Sequence, residues 1–519
     1  VTFSPTQFAK PAQTPTRAVV IGAGVGGLAT AIRLAAAGVA VTLLDRLNHT
    51  GGKIRTLPSP AGPVDAGPTV LTMRHVFDDL FNAAGARLDD HVTLIPQSIL
   101  ARHVWPDGSE LDLFANPEDS AAAVRAFAGS KSEAEFRAFC DRTRALFNAF
   151  DGPMMRAAEP KLGALTKHVL TNPYVIGPMA PLSTMASMLR RQFSDPRLAQ
   201  LFGRYSTYVG GSPYRSPAVL ALIWHAEATG VWVVKGGMHK LAGAMSELAT
   251  ALGVDIRLNS HVDRIEVRGG HARAVYLDTG ARISADAVVF NGDPRALATG
   301  ALGAACRKVA PQTLRTERSY SARVYSFAAK PIGRDLAHHN VLFDQDPEKE
   351  FSDLQAGRVP STPSLYICAE DRGQGHAPPE IERFEIITNA PATAAQDTDK
   401  DLHQWHETII QKMQSFNLTF TPTPGCETIT TPQIFNRLFP ETQGAIYGQS
   451  PHGMMAAFQR PTARSPIPGL YLAGGGAHPG AGVPMATLSG QHAAEAILSD
   501  LTSTSTFART VMPGGMSTA

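Results

Sequence analysis

The clearest hydrophobic pattern in the chain runs from Arg17 to Thr56. Ala18-Val19-Val20-Ile21 is an unbroken apolar run of the length of a buried parallel strand. Leu28, Ala31, Ile32 and Ala35 then recur at helical spacing, and Gly38 ends that helix. Val41-Thr42-Leu43-Leu44 is a second strand, closed by Asp45. The pattern predicts a strand–helix–strand unit. Later stretches repeat strand rhythms: Val231–Val234, Val254–Leu258, Val262–Val267 with a turn at Gly269-Gly270, and Ala287–Phe290. Residues 301–440 hold further strand candidates at Arg323–Ala328, Val341–Phe343, Leu365–Cys368 and Phe384–Thr388, and the polar stretch 345–363 reads as a loop. Near the C-terminus, Leu470-Tyr471-Leu472 enters a long glycine turn. A helix leaves it at Pro484, a favoured first-turn residue, and continues through Leu488, His492 and Ala496.

One stretch breaks these rhythms. His168–Leu189 contains no Asp, Glu, Lys or Arg, and is flanked by Lys161, Lys167, Arg190 and Arg191. Its length would suit a membrane span, but Pro173, Pro178 and Pro181 oppose one continuous helix. Two readings stand: a surface that docks on an anionic membrane, or a buried segment of a substrate domain.

Between the first strand and helix stands Gly22-x-Gly24-x-x-Gly27. Gly22 permits the tight turn, Gly24 lets the backbone approach a pyrophosphate, and Gly27 lets the helix pack close. The helix N-terminus offers free N–H groups to phosphate, and Asp45 can accept hydrogen bonds from a ribose. These features predict a dinucleotide site and leave NAD and FAD open. The following Gly51-Gly52-Lys53 and Arg55 resemble the extended fingerprint of glutathione-reductase-like flavoproteins, which points to FAD. That family usually carries Glu where Asp45 stands.

Composition narrows the picture. Charged residues make up 18% of 519 residues and hydrophobic ones 44%. The charge fraction is low against the usual quarter or so, which suits a chain that meets something apolar. A net charge of +2 gives no argument for a nucleic-acid partner. Cys140, Cys306, Cys368 and Cys426 are far apart and form neither a metal spacing nor a disulfide framework. Residues 1–16 and 502–519 read as flexible tails, and the first residues lack the apolar core of a secretory signal.

The first and last motifs together resemble the bacterial phytoene desaturase family of carotenoid desaturases. The resemblance rests on LYLAGGGAHPGAGVPMA at Leu470–Ala486 and VDAGPTVLTM at Val64–Met73. It extends to VGGSPYRSPA at Val209–Ala218 and GVWVVKGGMHKL at Gly230–Leu241. The middle stretches are most similar to the hydroxyneurosporene and methoxyneurosporene desaturase branch. The resemblance implies an α/β fold with a discontinuous Rossmann FAD domain (17–75, 235–300, 445–500). It also implies a β-rich substrate domain (76–115, 301–444) and a helical, membrane-associating region (116–234). It places Gly22, Gly24, Gly27 and Asp45 on the ADP half of FAD, and Gly51, Gly52, Lys53 and Arg55 along the pyrophosphate and flavin. Asp65, Gly67, Pro68 and Thr69 would approach the isoalloxazine, Val262 the adenine, and Gly475, Gly476, Val483, Pro484 and Met485 the flavin and ribitol.

The implied reaction introduces a C3,4 double bond into a 1-hydroxy- or 1-methoxy-carotenoid, with hydride passing to flavin N5 and a proton leaving the neighbouring carbon. His239 and Glu227 are the candidate catalytic residues, and each also reads as a structural hydrogen-bonding group. His478 reads the same way. The expected partners are a carotenoid drawn from the bilayer, the membrane surface on its cytoplasmic side, and oxygen or a quinone as electron acceptor. No metal is expected. The alternatives are phytoene desaturation, an amine or protoporphyrinogen oxidase of the same fold, and a non-catalytic lipid-binding escort protein.

Overall fold

In the computed structural model, which describes residues 16–395 and 397–507, the first motif folds as its pattern predicts. Arg17–Ile21 and Ala40–Leu44 are parallel neighbours joined by the helix Val25–Ala36. They sit in a five-stranded parallel sheet ordered Leu470–Leu472, Ala287–Phe290, Arg17–Ile21, Ala40–Leu44, Asp255–Arg257. Three widely separated stretches of chain therefore meet in one sheet. Alternate residues serve its two faces. Ala18, Val20, Val41 and Leu43 pack towards the helices Val25–Ala36, His239–Ala251 and Val483–Phe507. Val19, Leu44, Val288 and Phe290 pack towards an antiparallel sheet of Val262–Arg268, His271–Leu277 and Arg282–Ser284.

A second large sheet is mainly antiparallel. Its order is Leu418–Thr421, Ser321–Gly333, Glu382–Ala390, Leu365–Ala369, His339–Leu342, Ile99–Val104, Glu110–Phe114, and Ile429–Thr430 adds to Ser321–Gly333. Tyr325, Phe327, Phe384 and Ile386 pack under the helix Asp399–Ser415 through Trp405, Ile409 and Met413. Thr398 and Asp401 form a reciprocal capping box that starts this helix. A helical layer from Pro117–Phe150 to Leu222–Ala228 packs on the second sheet through Leu100, Leu111, Leu113 and Val341, stacked around Phe136, Phe139, Phe193, Phe202 and Trp224.

Three expectations change. The polar stretch 345–363 contains a helix, Pro347–Gln355, capped by the Asp346 side chain on the Lys349 N–H; its buried positions are Glu350, Phe351, Asp353 and Leu354, and the two apolar ones are too few to register as periodicity. Residues 502–507, expected in a tail, continue the C-terminal helix, while the rest of both expected tails falls outside the described residues except Thr16. His168–Leu189 divides into the end of a helix Leu162–Thr171, short turns over Pro173–Met179, and the start of Met185–Gln192. Among the described residues no helix is long and apolar enough to cross a membrane.

Candidate functional site

One cavity of about 1420 Å³ runs from the glycine turns to the helical layer. That exceeds the ~300–1,000 Å³ usual for a single small-molecule site, so the cavity has room for two ligands.

At one end the backbone itself makes the wall. Gly22 has φ +103°, and its N–H donates to Leu44 O at 2.7 Å. A Cβ on Gly27 would lie 2.0 Å from the Gly22 carbonyl oxygen, and one on Gly26 would lie 2.8 Å from Gly474 Cα. The first helix can approach the strand and the C-terminal glycine turn only because these side chains are hydrogen. Gly24 is the helix N-cap and supplies no side-chain acceptor, so the leading N–H groups are left for a ligand. Gly51 closes the cradle from the far side, its N–H donating to Ala23 O at 2.8 Å. A Cβ on Gly67 would meet Lys53 O at 2.0 Å, which fixes the loop Ala66–Thr69 against the Gly51–Lys53 turn.

Gly22, Gly24, Asp45, Gly51, Gly52, Lys53, Gly67, Pro68, Thr69, Val262, Gly475, Gly476, Val483, Pro484 and Met485 all line this cavity. Asp45 also anchors the turn. Its Oδ2 accepts from the Ala23 N–H at 2.7 Å and its Oδ1 from the Leu47 N–H at 2.8 Å, while burial pushes its pKa up. Gly27 lies behind the wall, in the packing role its spacing predicts. Arg55 and Asp65 also stand behind it. Arg55 donates to Thr430 Oγ1 and lies over the Phe435 ring, and Asp65 accepts from the Met238 N–H.

Neither candidate catalytic residue borders the cavity. The His239 ring nitrogen Nδ1 is 2.9 Å from Asp65 Oδ1, so the pair ties the helix His239–Ala251 to the loop beneath the cavity floor. Glu227 is buried in a polar knot. It accepts from the hydroxyls of Tyr205 and Tyr208, each at 2.6 Å, and pairs with Arg204 at 3.3 Å. Arg204 and Tyr208 are the members of that knot that reach the wall. His239 and Glu227 are thus placed to position other groups rather than to touch a reacting atom. His478 does line the cavity, neutral, because burial lowers its pKa to about 4, and its Nε2–H donates to Ala157 O at 2.8 Å.

Several wall residues escaped the sequence reading. Asn291 donates through Nδ2 to Gly22 O at 3.0 Å and lies beside the hypothetical Cβ positions of Gly26, Gly27 and Gly474. The only signal was its place at the end of a buried strand. Arg460 reaches three carbonyls, of Gly475, Tyr447 and Gln449, at 2.8, 3.1 and 3.0 Å. Lys53 and Arg460 share the neighbourhood of the buried Asp293–Arg318 pair. Burial is the main cause that lowers Lys53 to about 8 and Arg460 to about 10. Two further cations beside one satisfied pair leave an electropositive patch that suits an anionic ligand. These residues come from distant loops with no periodic pattern.

The uncapped helix N-terminus, the glycine cradle that any Cβ would fill, the buried cationic patch and the second helix starting at Val483 all fit FAD. Beyond the cradle, Phe147, Phe150, Met154, Met155, Leu165 and Met179 make an apolar far wall.

Comparison with known proteins agrees with this geometry. The family described as flavin containing amine oxidoreductase matches residues 25–318 and 440–498. The chain is 53% identical to hydroxyneurosporene desaturase of Cereibacter sphaeroides, over 95% of this chain and 99% of that one. It is 50% identical to the protein of the same name in Rhodobacter capsulatus (94% and 99% covered) and 43% identical to the one in Rubrivivax gelatinosus (98% and 98%). An oxidoreductase from Methanosarcina mazei shares the fold at a TM-score of 0.62 and 17% identity, covering 92% of this chain and all of that one. A putrescine oxidase variant does so at 0.59 and 13%, covering 94% of this chain and all of that one. The chain belongs to the flavin-containing amine oxidoreductase family, within its carotenoid desaturases, and is an FAD-dependent oxidoreductase acting on CH–CH groups.

Proposed function

We propose that the enzyme introduces the C3,4 double bond of 1-hydroxy- and 1-methoxy-carotenoids. The observation that carries this reading is the 43–53% identity, over nearly the whole chain, to three proteins named hydroxyneurosporene desaturase. FAD, when bound, supplies the two-electron acceptor that oxidation of an allylic C–C bond requires. The protein's own contribution is alignment and dryness. The aromatic and methionine wall takes an extended hydrocarbon and excludes water. Tyr208 and Tyr447 on that wall stay neutral, since burial pushes their phenols up, Tyr447 to about 12. Purified holoenzyme given hydroxyneurosporene and phytoene in parallel tests the proposal. The first should yield a red-shifted product with one more conjugated double bond. Conversion of phytoene alone would overturn it.

The route of the substrate follows from its solubility. At about 0.8 kcal/mol per buried CH₂, a carotenoid cannot pass through water at a useful rate, so the enzyme takes it from lipid. The supporting face is Leu162, Leu170, Tyr174, Ile176 and Leu182, all exposed, with Lys161, Lys167, Arg190 and Arg191 exposed beside them. Leu182 is 94% exposed and held at φ +66°, a conformation costly for a branched side chain. Leu165, Met179 and Arg190 of the same region line the cavity, so this face borders its helical end. The enzyme then works as a peripheral protein on the cytoplasmic surface of the membrane. Electrons leave to oxygen or to a membrane quinone; turnover in liposomes under argon, with and without quinone, separates the two.

A further inference from the structure

The cavity wall contains one chain of linked neutral polar groups. Thr69 and Tyr366 both line the cavity, and their hydroxyls are 2.7 Å apart. The Tyr366 hydroxyl is also 2.7 Å from His339 Nδ1. His339 is 2% exposed, and its Nε2 has no partner. Burial, with His338 and Arg204 nearby, drives its pKa well below the ordinary value, so the ring is neutral. His338 behind it is neutral too. Its Nδ1–H donates to Arg372 O at 2.8 Å, which leaves Nε2 to accept from the Cys368 thiol at 3.5 Å.

Counting donors along this chain gives two arrangements. In one, Tyr366 donates to His339 and Thr69 donates to Tyr366; the pair then offers lone pairs to the cavity. In the other, His339 donates to Tyr366 and Tyr366 donates to Thr69; the Thr69 proton is then free for the cavity. They differ in the tautomer of His339 and in the rotation of the Tyr366 and Thr69 hydroxyls. The pair can therefore accept from a hydroxyl or donate to an ether oxygen without moving a heavy atom.

We propose that Thr69 and Tyr366, with His339 behind them, bind the oxygen at C1 of the substrate and so determine which carotenoid ends are accepted. This rests on the substrate reading above. C1 lies two C–C bonds from the reacting C3, so its partner has to sit beside the loop that the family resemblance sets against the isoalloxazine, and Thr69 is on that loop and lines the cavity. Two charged groups of the wall are already engaged, while Ser321 Oγ is a further wall atom without a partner. Glu350 accepts from Asn389 at 2.9 Å and from the Ser364 hydroxyl at 2.8 Å, and Arg204 is held by Glu227, Tyr205 and Tyr208. A hydrocarbon end would displace water from Thr69 and Tyr366 and return no hydrogen bond, which is how a site built for a hydroxyl rejects an analogue lacking it.

The test compares kcat/KM of FAD-loaded enzyme for a 1-hydroxy-carotenoid and for its hydrocarbon counterpart, alongside dissociation constants measured without turnover. Tyr366→Phe and Thr69→Val, each compared with wild type at equal FAD loading, should lower the preference for the hydroxylated substrate by about tenfold or more. His339→Leu should do the same, and His339→Asn, whose amide can take the place of Nδ1, should restore much of the preference. FAD-replete variants that keep the wild-type preference, or that lose both substrates equally, would overturn the assignment. A wild-type enzyme without any such preference would instead overturn the substrate reading, and this assignment with it.

Discussion

At the nucleotide end of the cavity, a Cβ on Gly27 would lie 2.0 Å from a carbonyl oxygen; at the helical end, Leu182 stands 94% exposed on a strained backbone. The first region is specified atom by atom, because backbone meets backbone and only hydrogen fits. The second is specified by area and by the absence of charge, so many apolar sequences could build it. A defect at the first end should therefore be severe and local in cause. At the second end, single changes should be tolerated and several together should alter partners rather than fold.

The largest effect is expected at Gly27. Gly27→Ala forces the first helix off its strand, so the protein should lose most of its FAD and unfold at markedly lower temperature. Gly24 differs in kind. Its Cβ would lie 3.1 Å from the Asn291 side-chain amide, which can shift, and otherwise faces the cavity. Gly24→Val should keep the fold and lose the cofactor. Acid-released FAD and unfolding temperature, measured for both variants, check this; stoichiometric FAD in Gly27→Ala would break the comparison.

Next in size is Asp293→Asn. Asp293 pairs with Arg318 in a buried setting, with Lys53 and Arg460 close by. Removing the one anion leaves uncompensated cations, a change worth about 3–5 kcal/mol. Denaturant unfolding should show that loss, and adding Arg318→Met should recover part of it.

The helical end should respond differently. Met179 lines the cavity and Val175 is fully buried, so charges there would disturb the interior. Leu170, Tyr174 and Leu182 point outward. Replacing all three with Ser should weaken liposome binding by at least roughly a hundredfold, at ~1.5 kcal/mol for each inserted side chain, with FAD content and unfolding temperature unchanged. Sedimentation with anionic liposomes tests this. Undiminished binding would place the membrane face elsewhere.

The same contrast explains what could be read from the chain. Gly22, Gly24, Gly27 and Asp45 were legible because a fixed spacing imposes one backbone geometry, and the loop Gly67–Thr69 only through the family resemblance. Asn291, Arg460 and Tyr366 were not, because each reaches the wall from a different strand or loop and nothing local marks it. His239 and Glu227 were picked out because they sit in or near recognisable motifs, yet their side chains point away from the cavity, and no spacing reports that direction. The helix Pro347–Gln355 was hidden because two of its buried residues are the acids Glu350 and Asp353, which read as a polar loop. The fold was thus more legible than the side chains that select a substrate.

A smaller, pH-dependent effect is expected behind the nucleotide end. Burial, with the Asp65 charge adding to it, raises the Glu370 carboxyl to about 8. The folded protein then holds a proton that the unfolded chain releases near pH ~4.3. Glu370's contribution to stability is fully present below that pH and is lost as pH rises towards about 8. Glu370→Gln can still accept from the Asp65 N–H, which lies 2.8 Å from Oε1. It should remove this part of the slope and gain stability over wild type at pH 8 relative to pH 5. An unchanged difference between the two pH values would mean that the carboxyl is ionised in the fold.

The smallest effect comes from a glycine that obeys neither rule. Gly243 lies inside the helix His239–Ala251, and a Cβ there would meet nothing within 4 Å. Its φ is not positive, so no turn requires it. Gly243→Ala should therefore stabilise the protein by about 0.5–1 kcal/mol, since alanine loses less backbone entropy on joining a helix. FAD content and turnover should not change. The comparison with Gly27 is direct: both are helical glycines near the same cofactor site, and the same added methyl group should be ruinous at one and mildly favourable at the other. If Gly243→Ala also loses FAD, close approach of backbone is not what separates the two positions, and the account of the glycine cradle given by its van der Waals contacts would have to be replaced.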